Sequence, residues 1–214
     1  MGRPDKYLHN GVEVPSVTTV LDAAYPDGDR DGLLWWAEHL ARRGRSWHDE
    51  REQRGRGGSY VHAIVEAYLQ GKAPPAPTDA LSEDTYSDAL TSAVAICQWI
   101  SAQRLDPVIG LEHPLTCATY GGTADLVTCS PTTLTVRDWK TGKHIDVHKC
   151  RAQTAAYAAL WTAAGAQRER IVLETIHCPL GTSNVEVDRI EGEDVIAAGR
   201  RWLAVLNAYR ECKL

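Results

Sequence analysis

The order of segments in this 214-residue chain predicts an α/β (α+β) protein, a central mixed sheet flanked by helices with a helical N-terminal region. Three observations carry that expectation. Up to residue 107 the apolar residues fall mainly at helical spacing. From residue 108 short β-branched runs appear, separated by Pro- or Gly-bearing breaks. One Ala-rich helical segment interrupts those runs and another closes the chain, which suits neither a bundle nor a sandwich.

Val12 to Val14 is short and extended, and Pro15-Ser16 then caps a helical turn over Val17–Leu21 that ends at Tyr25-Pro26-Asp27-Gly28. Residues 30–43 form a helix with an apolar stripe of Leu33, Leu34, Trp36, Ala37 and Leu40. A second helix covers 46–54. Gly55, Gly57 and Gly58 interrupt it before a third runs from Ser59 to Leu69, closed by Gly71. Residues 72–80 are a Pro-rich loop, the clearest break in the chain. A long helix over 83–104 then packs Ala89, Val94, Ile96 and Trp99. Strands follow at 108–118, 122–129 and 133–139, a helix at 150–164, strands at 171–177 and 184–189, and a helix from 192 to 212. The expectation is one domain over 1–214, with 1–107 mainly helical and 108–214 holding the sheet.

Hydrophobic content of 43% and charged content of 24% are ordinary for a soluble globular protein. No apolar run approaches the roughly 20 residues of a membrane helix, and the opening lacks an apolar signal core, so a cytoplasmic protein is expected. A net charge of −5 argues against a DNA-coating role but not against a DNA enzyme, because the local field matters more than the sum. Arg42, Arg43, Arg45, Arg51, Arg54 and Arg56 crowd one segment, and Arg43, Arg45, Arg54 and Arg56 are read as phosphate contacts in preference to a merely solvated face. The six cysteines, at 97, 117, 129, 150, 178 and 212, contain no CxxC pair and are read as free thiols. Trp35 and Trp36 are read as one buried and one partly exposed rather than as base-stacking groups, and His144, His148 and His177 receive no role.

The chemistry concentrates at Gly122-Thr123-Ala124-Asp125 and Asp138-Trp139-Lys140. Between them, Leu126–Cys129 and Leu134–Arg137 flank a Ser130-Pro131-Thr132-Thr133 turn, the pattern of an antiparallel hairpin. Asp125 would open its first strand and Asp138 close its second, so both return to one end and can share a divalent cation. Asp138 and Lys140, two apart in an extended segment, point to the same face. Glu112 stands mid-strand just before this hairpin, where an unpaired buried carboxylate would be costly. His62 and Glu66 are four apart on the 59–69 helix, as are Gln153 and Tyr157 on the 150–164 helix, so each pair shares a helix face.

This set resembles the PD-(D/E)XK nuclease superfamily, in its RecB-like and phage-exonuclease branch. The matching elements are Gly58-Ser59-Tyr60-Val61-His62, Glu112, Gly122-x-x-Asp125, Asp138-Trp139-Lys140-Thr141-Gly142-Lys143 and Gln153-x-x-x-Tyr157, with an opening at Pro15–Leu21 like that of phage-encoded members. The resemblance spans most of residues 12–178 and implies a restriction-endonuclease-like core. It implies a metal site of His62, Asp125 and Asp138, with the Trp139 backbone carbonyl and Glu112 as further ligands. Mg²⁺ or Mn²⁺ suits oxygen ligands with one imidazole. Catalytic roles are implied for Asp125, Asp138, Lys140, Glu112, Gln153 and Tyr157. The isolated Cys212 departs from the cysteine cluster of iron–sulfur members, so no such cluster is expected. Lys140-Thr141-Gly142-Lys143 lacks the upstream glycine loop of a nucleotide-binding lysine motif. The function so implied is that of an exonuclease acting at DNA ends in phage or bacterial recombination or repair, phage-encoded and working in a bacterial host. Its implied partners are DNA, further copies of itself or a single-strand annealing protein. A non-catalytic DNA-binding accessory module and a structure- or site-specific endonuclease are the alternatives.

Overall fold

A computed structural model describes residues 6–25 and 30–212, and the side chains of these apart from 30–34 and 36. A short hairpin of β1 (Tyr7–His9) and β2 (Val12–Val14) leads into four helices: α1 (Val17–Ala24), α2 (Arg30–Ala41), α3 (Trp47–Leu69) and α4 (Glu83–Ser101). Strands β3 (Val108–Thr116), β4 (Gly121–Cys129) and β5 (Thr133–Lys140) follow, then α5 (Val147–Ala163), β6 (Arg170–His177), β7 (Glu186–Glu191) and α6 (Glu193–Glu211).

The five later strands make one sheet in the order β3-β4-β5-β6-β7. Every pairing is antiparallel except β5–β6, which is parallel because α5 crosses over between them. The sheet is therefore mixed, as the segment order predicts. Val127, Leu134, Val136 and Leu173 pack on one face against α1, α5 and α6. Leu126, Trp139 and Ile176 pack on the other against α3 and α4. The core thus lies in two slabs on either side of the sheet, and β4 and β5 are buried along nearly their whole lengths.

Several boundaries differ from expectation for physical reasons. The helices expected at 46–54 and 59–69 are one continuous helix, α3. Two of its three glycines serve close packing: a Cβ on Gly57 would lie 2.8 Å from Thr85 Cγ2, and one on Gly58 would lie 2.7 Å from Thr141 Oγ1. Val94 is 52% exposed, so α4 packs through Ala89, Ala93, Ile96 and Ile100 instead. α5 starts at Val147 rather than 150 because Asp146 accepts from the backbone N–H groups of His148 and Lys149. β7 runs to Glu191, two residues beyond expectation, because its ladder to β6 continues until Gly192 turns the chain with φ of 62°. The β1–β2 hairpin was not anticipated, although Asn10-Gly11, both with positive φ, is a recognised signal for a two-residue turn. Of the expected stripe on α2, Leu33, Leu34 and Trp36 lie outside the described side chains, as do residues 26–28 of the expected turn. Leu40 is buried, and Trp35 is 66% exposed and stacks on His39.

Candidate active site

The site forms where two strands switch sides. Residues two apart on a strand ordinarily face the same way. In β4, however, Ala124 packs in the α5 slab and Leu126 in the α3 slab. In β3, Leu111 joins the α3 slab and Leu115, four residues on, the α5 slab. The switch in β3 coincides with Glu112, whose φ of 44° is left-handed. The β3–β4 pairing places Glu112 opposite Asp125, since Leu111 pairs with Leu126 and His113 with Ala124. The β4–β5 ladder ends at Leu126 and Arg137, so Asp125 and Asp138 occupy the next position in that register. Asp125 accordingly lies in the middle of β4 and does not open it, and three acids share one row across three strands.

α3 brings the imidazole. His62 Nδ1 lies 3.2 Å from Glu112 Oε1 and 3.3 Å from Asp125 Oδ1. One ligand atom from each of His62, Glu112 and Asp125 falls within 4.8 Å of the others. Ligands around a hard cation stand about 2.0–2.6 Å from it, so this spacing and this oxygen-rich donor set fit a divalent ion such as Mg²⁺ or Mn²⁺. The other oxygen of Asp125, Oδ2, accepts the backbone N–H of Trp139 at 2.6 Å.

Asp138 lies beside this cluster and holds Lys140: its Oδ2 is 2.6 Å from the ammonium Nζ. Burial, the largest single influence, lowers the Lys140 pKa, but Asp138, Cys150 and Tyr157 together outweigh it and the net shift is upward, so the side chain stays cationic. Lys140 Nζ also donates to Gln153 Oε1 at 2.8 Å, and Gln153 Nε2 donates to the Tyr157 hydroxyl at 2.8 Å. An ammonium has three donors, so two are fixed inward and one is left for the cleft. Gln153 and Tyr157, four apart on α5, are both buried. The Trp139 ring turns the other way and meets Trp99 edge-on in the α3–α4 slab.

His62, Glu112, Lys140 and the face of α3 wall a cleft of about 580 Å³. Glu66 reaches it too, together with Ser59, Thr141 and Lys143, which sequence reasoning did not single out. Lys143 stands in the Asp138–Lys143 stretch that carries the family resemblance, where the sequence assigns it no role of its own. Among the four arginines singled out, Arg54 lines the cleft. Arg45 and Arg54 both pair with Glu50, and Arg56 pairs with Glu52 and donates to the Ala80 carbonyl, so neighbouring acids offset much of that charge. His177 Nε2 donates to the Gly142 carbonyl at 2.7 Å, and His144 and His148 are exposed. The cysteines are free.

The mixed sheet thus carries an Asp–Lys pair beside an acid–imidazole cluster, walled by a helix. The family model described as "PD-(D/E)XK nuclease superfamily" matches residues 32–200, and the chain belongs to that superfamily. No curated protein matches it in sequence. Among solved proteins, SSO0001 is similar over 72% of this chain and 76% of its own, at 13% identity and a TM-score of 0.32. Among the described residues, no helix is long and apolar enough to cross a membrane.

Proposed function

We propose that the protein is a Mg²⁺- or Mn²⁺-dependent deoxyribonuclease that hydrolyses phosphodiester bonds at DNA ends, an exonuclease of phage or bacterial recombination or repair. The observation that carries this reading is the cleft in which His62, Glu112 and Asp125 converge next to an Asp138-held Lys140. His62, Asp125, Asp138, Glu112 and the Trp139 carbonyl are the groups that would hold the ion. A bound divalent cation supplies Lewis acidity, lowering the pKa of a bound water and offsetting charge on the phosphate.

The remaining work falls to the chain's own groups. Lys140 remains charged and presents its third N–H to the cleft, where it orients the attacking water or stabilises charge growing on the phosphate oxygens. Asp138 keeps that ammonium in place from one side and Gln153 from the other, with Tyr157 fixing the Gln153 amide. A cationic Lys140 is a donor and not a general base. The whole chain, 1–214, acts as one nuclease domain, since the helical half contributes His62 and the sheet half the acids.

Attack at ends is supported by the order of motifs, which resembles the RecB-like and phage-exonuclease branch. The test is cleavage of end-labelled linear and closed-circular DNA with Mg²⁺ or Mn²⁺, with Asp138→Ala as control. Stepwise shortening of linear DNA alone, lost in the variant, is the expected result. Cutting of circles would make the protein an endonuclease. Binding without cleavage under either metal would make it an accessory module.

A further inference from the structure

An interior helical glycine costs about 1 kcal/mol relative to alanine, so each one invites a reason. In α3, Gly57 and Gly58 have theirs in close contacts with Thr85, Leu180 and Thr141. Gly55 has none of that kind. A Cβ there would meet nothing within 4 Å, its φ is not left-handed, and the residue is exposed on the wall of the active-site cleft. Gly55 and Gly58 are three apart and share a face of the helix. At Gly58 the helix touches Thr141 in the loop after β5, whereas one turn earlier, at Gly55, the surfaces have parted and the cleft lies open. On the same loop, and lining the same cleft, is Lys143, which is exposed and forms no ion pair among the described residues.

We infer that the gap between Gly55 and Lys143 is the track of the substrate strand: its sugar–phosphate backbone passes over the bare helix surface at Gly55, and Lys143 contacts a phosphate flanking the scissile one. This rests on the nuclease reading and adds two substrate-positioning residues to it. A missing side chain lets a backbone approach closely. A lysine on a flexible stem supplies a point charge for a phosphate oxygen without fixing its geometry, which suits a strand that must move through.

The test measures anisotropy of a short fluorescein-labelled DNA duplex bound to protein carrying Asp138→Ala, with thermal melts alongside. Gly55→Ala is expected to raise the melting temperature while weakening binding severalfold, a pairing that a purely structural glycine would not produce. Gly55→Leu is expected to weaken binding more than tenfold. Lys143→Gln is expected to lower the slope of log K against log salt by about one, with Lys143→Arg restoring it. Wild-type binding by Gly55→Leu, or an unchanged slope in Lys143→Gln, would overturn the track. If the protein without Asp138→Ala cleaves DNA while these variants bind as their parent does, the track fails and the nuclease reading stands. If that protein neither binds nor cleaves DNA, both fail. If it binds without cleaving, the same binding comparisons still decide the track.

Discussion

The Asp125 carboxylate accepts a hydrogen bond from the backbone N–H of Trp139 on the neighbouring strand, 2.6 Å away and fully buried. It does so one position beyond the last rung of the β4–β5 ladder, so a side chain takes over the acceptor role that the backbone has just relinquished. The carboxylate is thereby oriented, with Oδ1 left toward His62. Asp125 is part of the sheet's construction as well as of the candidate metal site.

The dual role separates two substitutions. Asp125→Ala leaves a buried N–H without its acceptor and is expected to cost about 1–3 kcal/mol of stability in addition to cleavage. Asp125→Asn keeps an acceptor oxygen and is expected to keep most of the stability while losing cleavage. Urea melts of the two variants beside a cleavage assay check this; equal melts would show that the Trp139 bond contributes nothing.

Asp138 and Lys140 act differently: Lys140 lines the cleft, and Asp138, fully buried, holds its ammonium from within. Lys140→Ala is expected to slow cleavage on the order of a hundredfold to a thousandfold, the usual loss on removing one donor aimed at developing charge. Asp138→Ala is expected to abolish cleavage yet retain DNA binding, since repulsion between its carboxylate and the phosphate is relieved. Gln153→Ala, which frees the lysine without discharging it, is expected to fall between wild type and Lys140→Ala in rate. Single-turnover cleavage with parallel binding curves distinguishes these, and wild-type rates in Lys140→Ala would refute the proposed mechanism.

Glu112 sits in a strand with φ of 44°, a conformation that costs a non-glycine residue about 1–3 kcal/mol. Between two variants that both lack the carboxylate, Glu112→Gly should therefore be more stable than Glu112→Ala by about 1 kcal/mol, the reverse of the usual order within a strand. Both should lose cleavage. Thermal melts rank them; if the alanine variant is the more stable, the backbone at this position relaxes on substitution and the left-handed turn is a consequence of the glutamate.

Much of this was legible in the sequence because it is local. The hairpin, the Asp138–Lys140 facing and the shared helix faces of His62 with Glu66 and of Gln153 with Tyr157 follow from periods of two and of 3.6. The row of Glu112, Asp125 and Asp138 was only half legible. It depends on both strands switching faces at one register position, and no periodic rule anticipates an interruption of periodicity. The continuity of α3 was hidden for a related reason. Gly57 and Gly58 read as breaks until Thr85, Leu180 and Thr141, all distant in sequence, are brought against them. The arginine segment reads as basic along the chain, but Glu50 and Glu52 lie close enough on the same helix to offset it.

Gly122 ties the motif to the lysine by a route no single motif describes. A Cβ there would fall 2.6 Å from Tyr157 Cε1, 2.9 Å from its Cδ1 and 3.0 Å from Val17 Cγ2. Tyr157 is buried at 2% exposure and cannot swing into solvent, so the added methyl has to displace the ring. The ring's hydroxyl receives the Gln153 amide, and that amide's oxygen receives the Lys140 ammonium. Gly122→Ala is accordingly expected to cost about 1–3 kcal/mol through overpacking and to lower kcat more than KM, because it disturbs Lys140 and not the substrate-facing wall of α3. Adding Tyr157→Phe should not recover the rate, since the ring remains, whereas adding Tyr157→Leu should recover stability but not kcat. Melts and steady-state kinetics on the single and double variants test the chain of contacts; a Gly122→Ala enzyme with normal kcat would show that Tyr157 moves without carrying Gln153 with it.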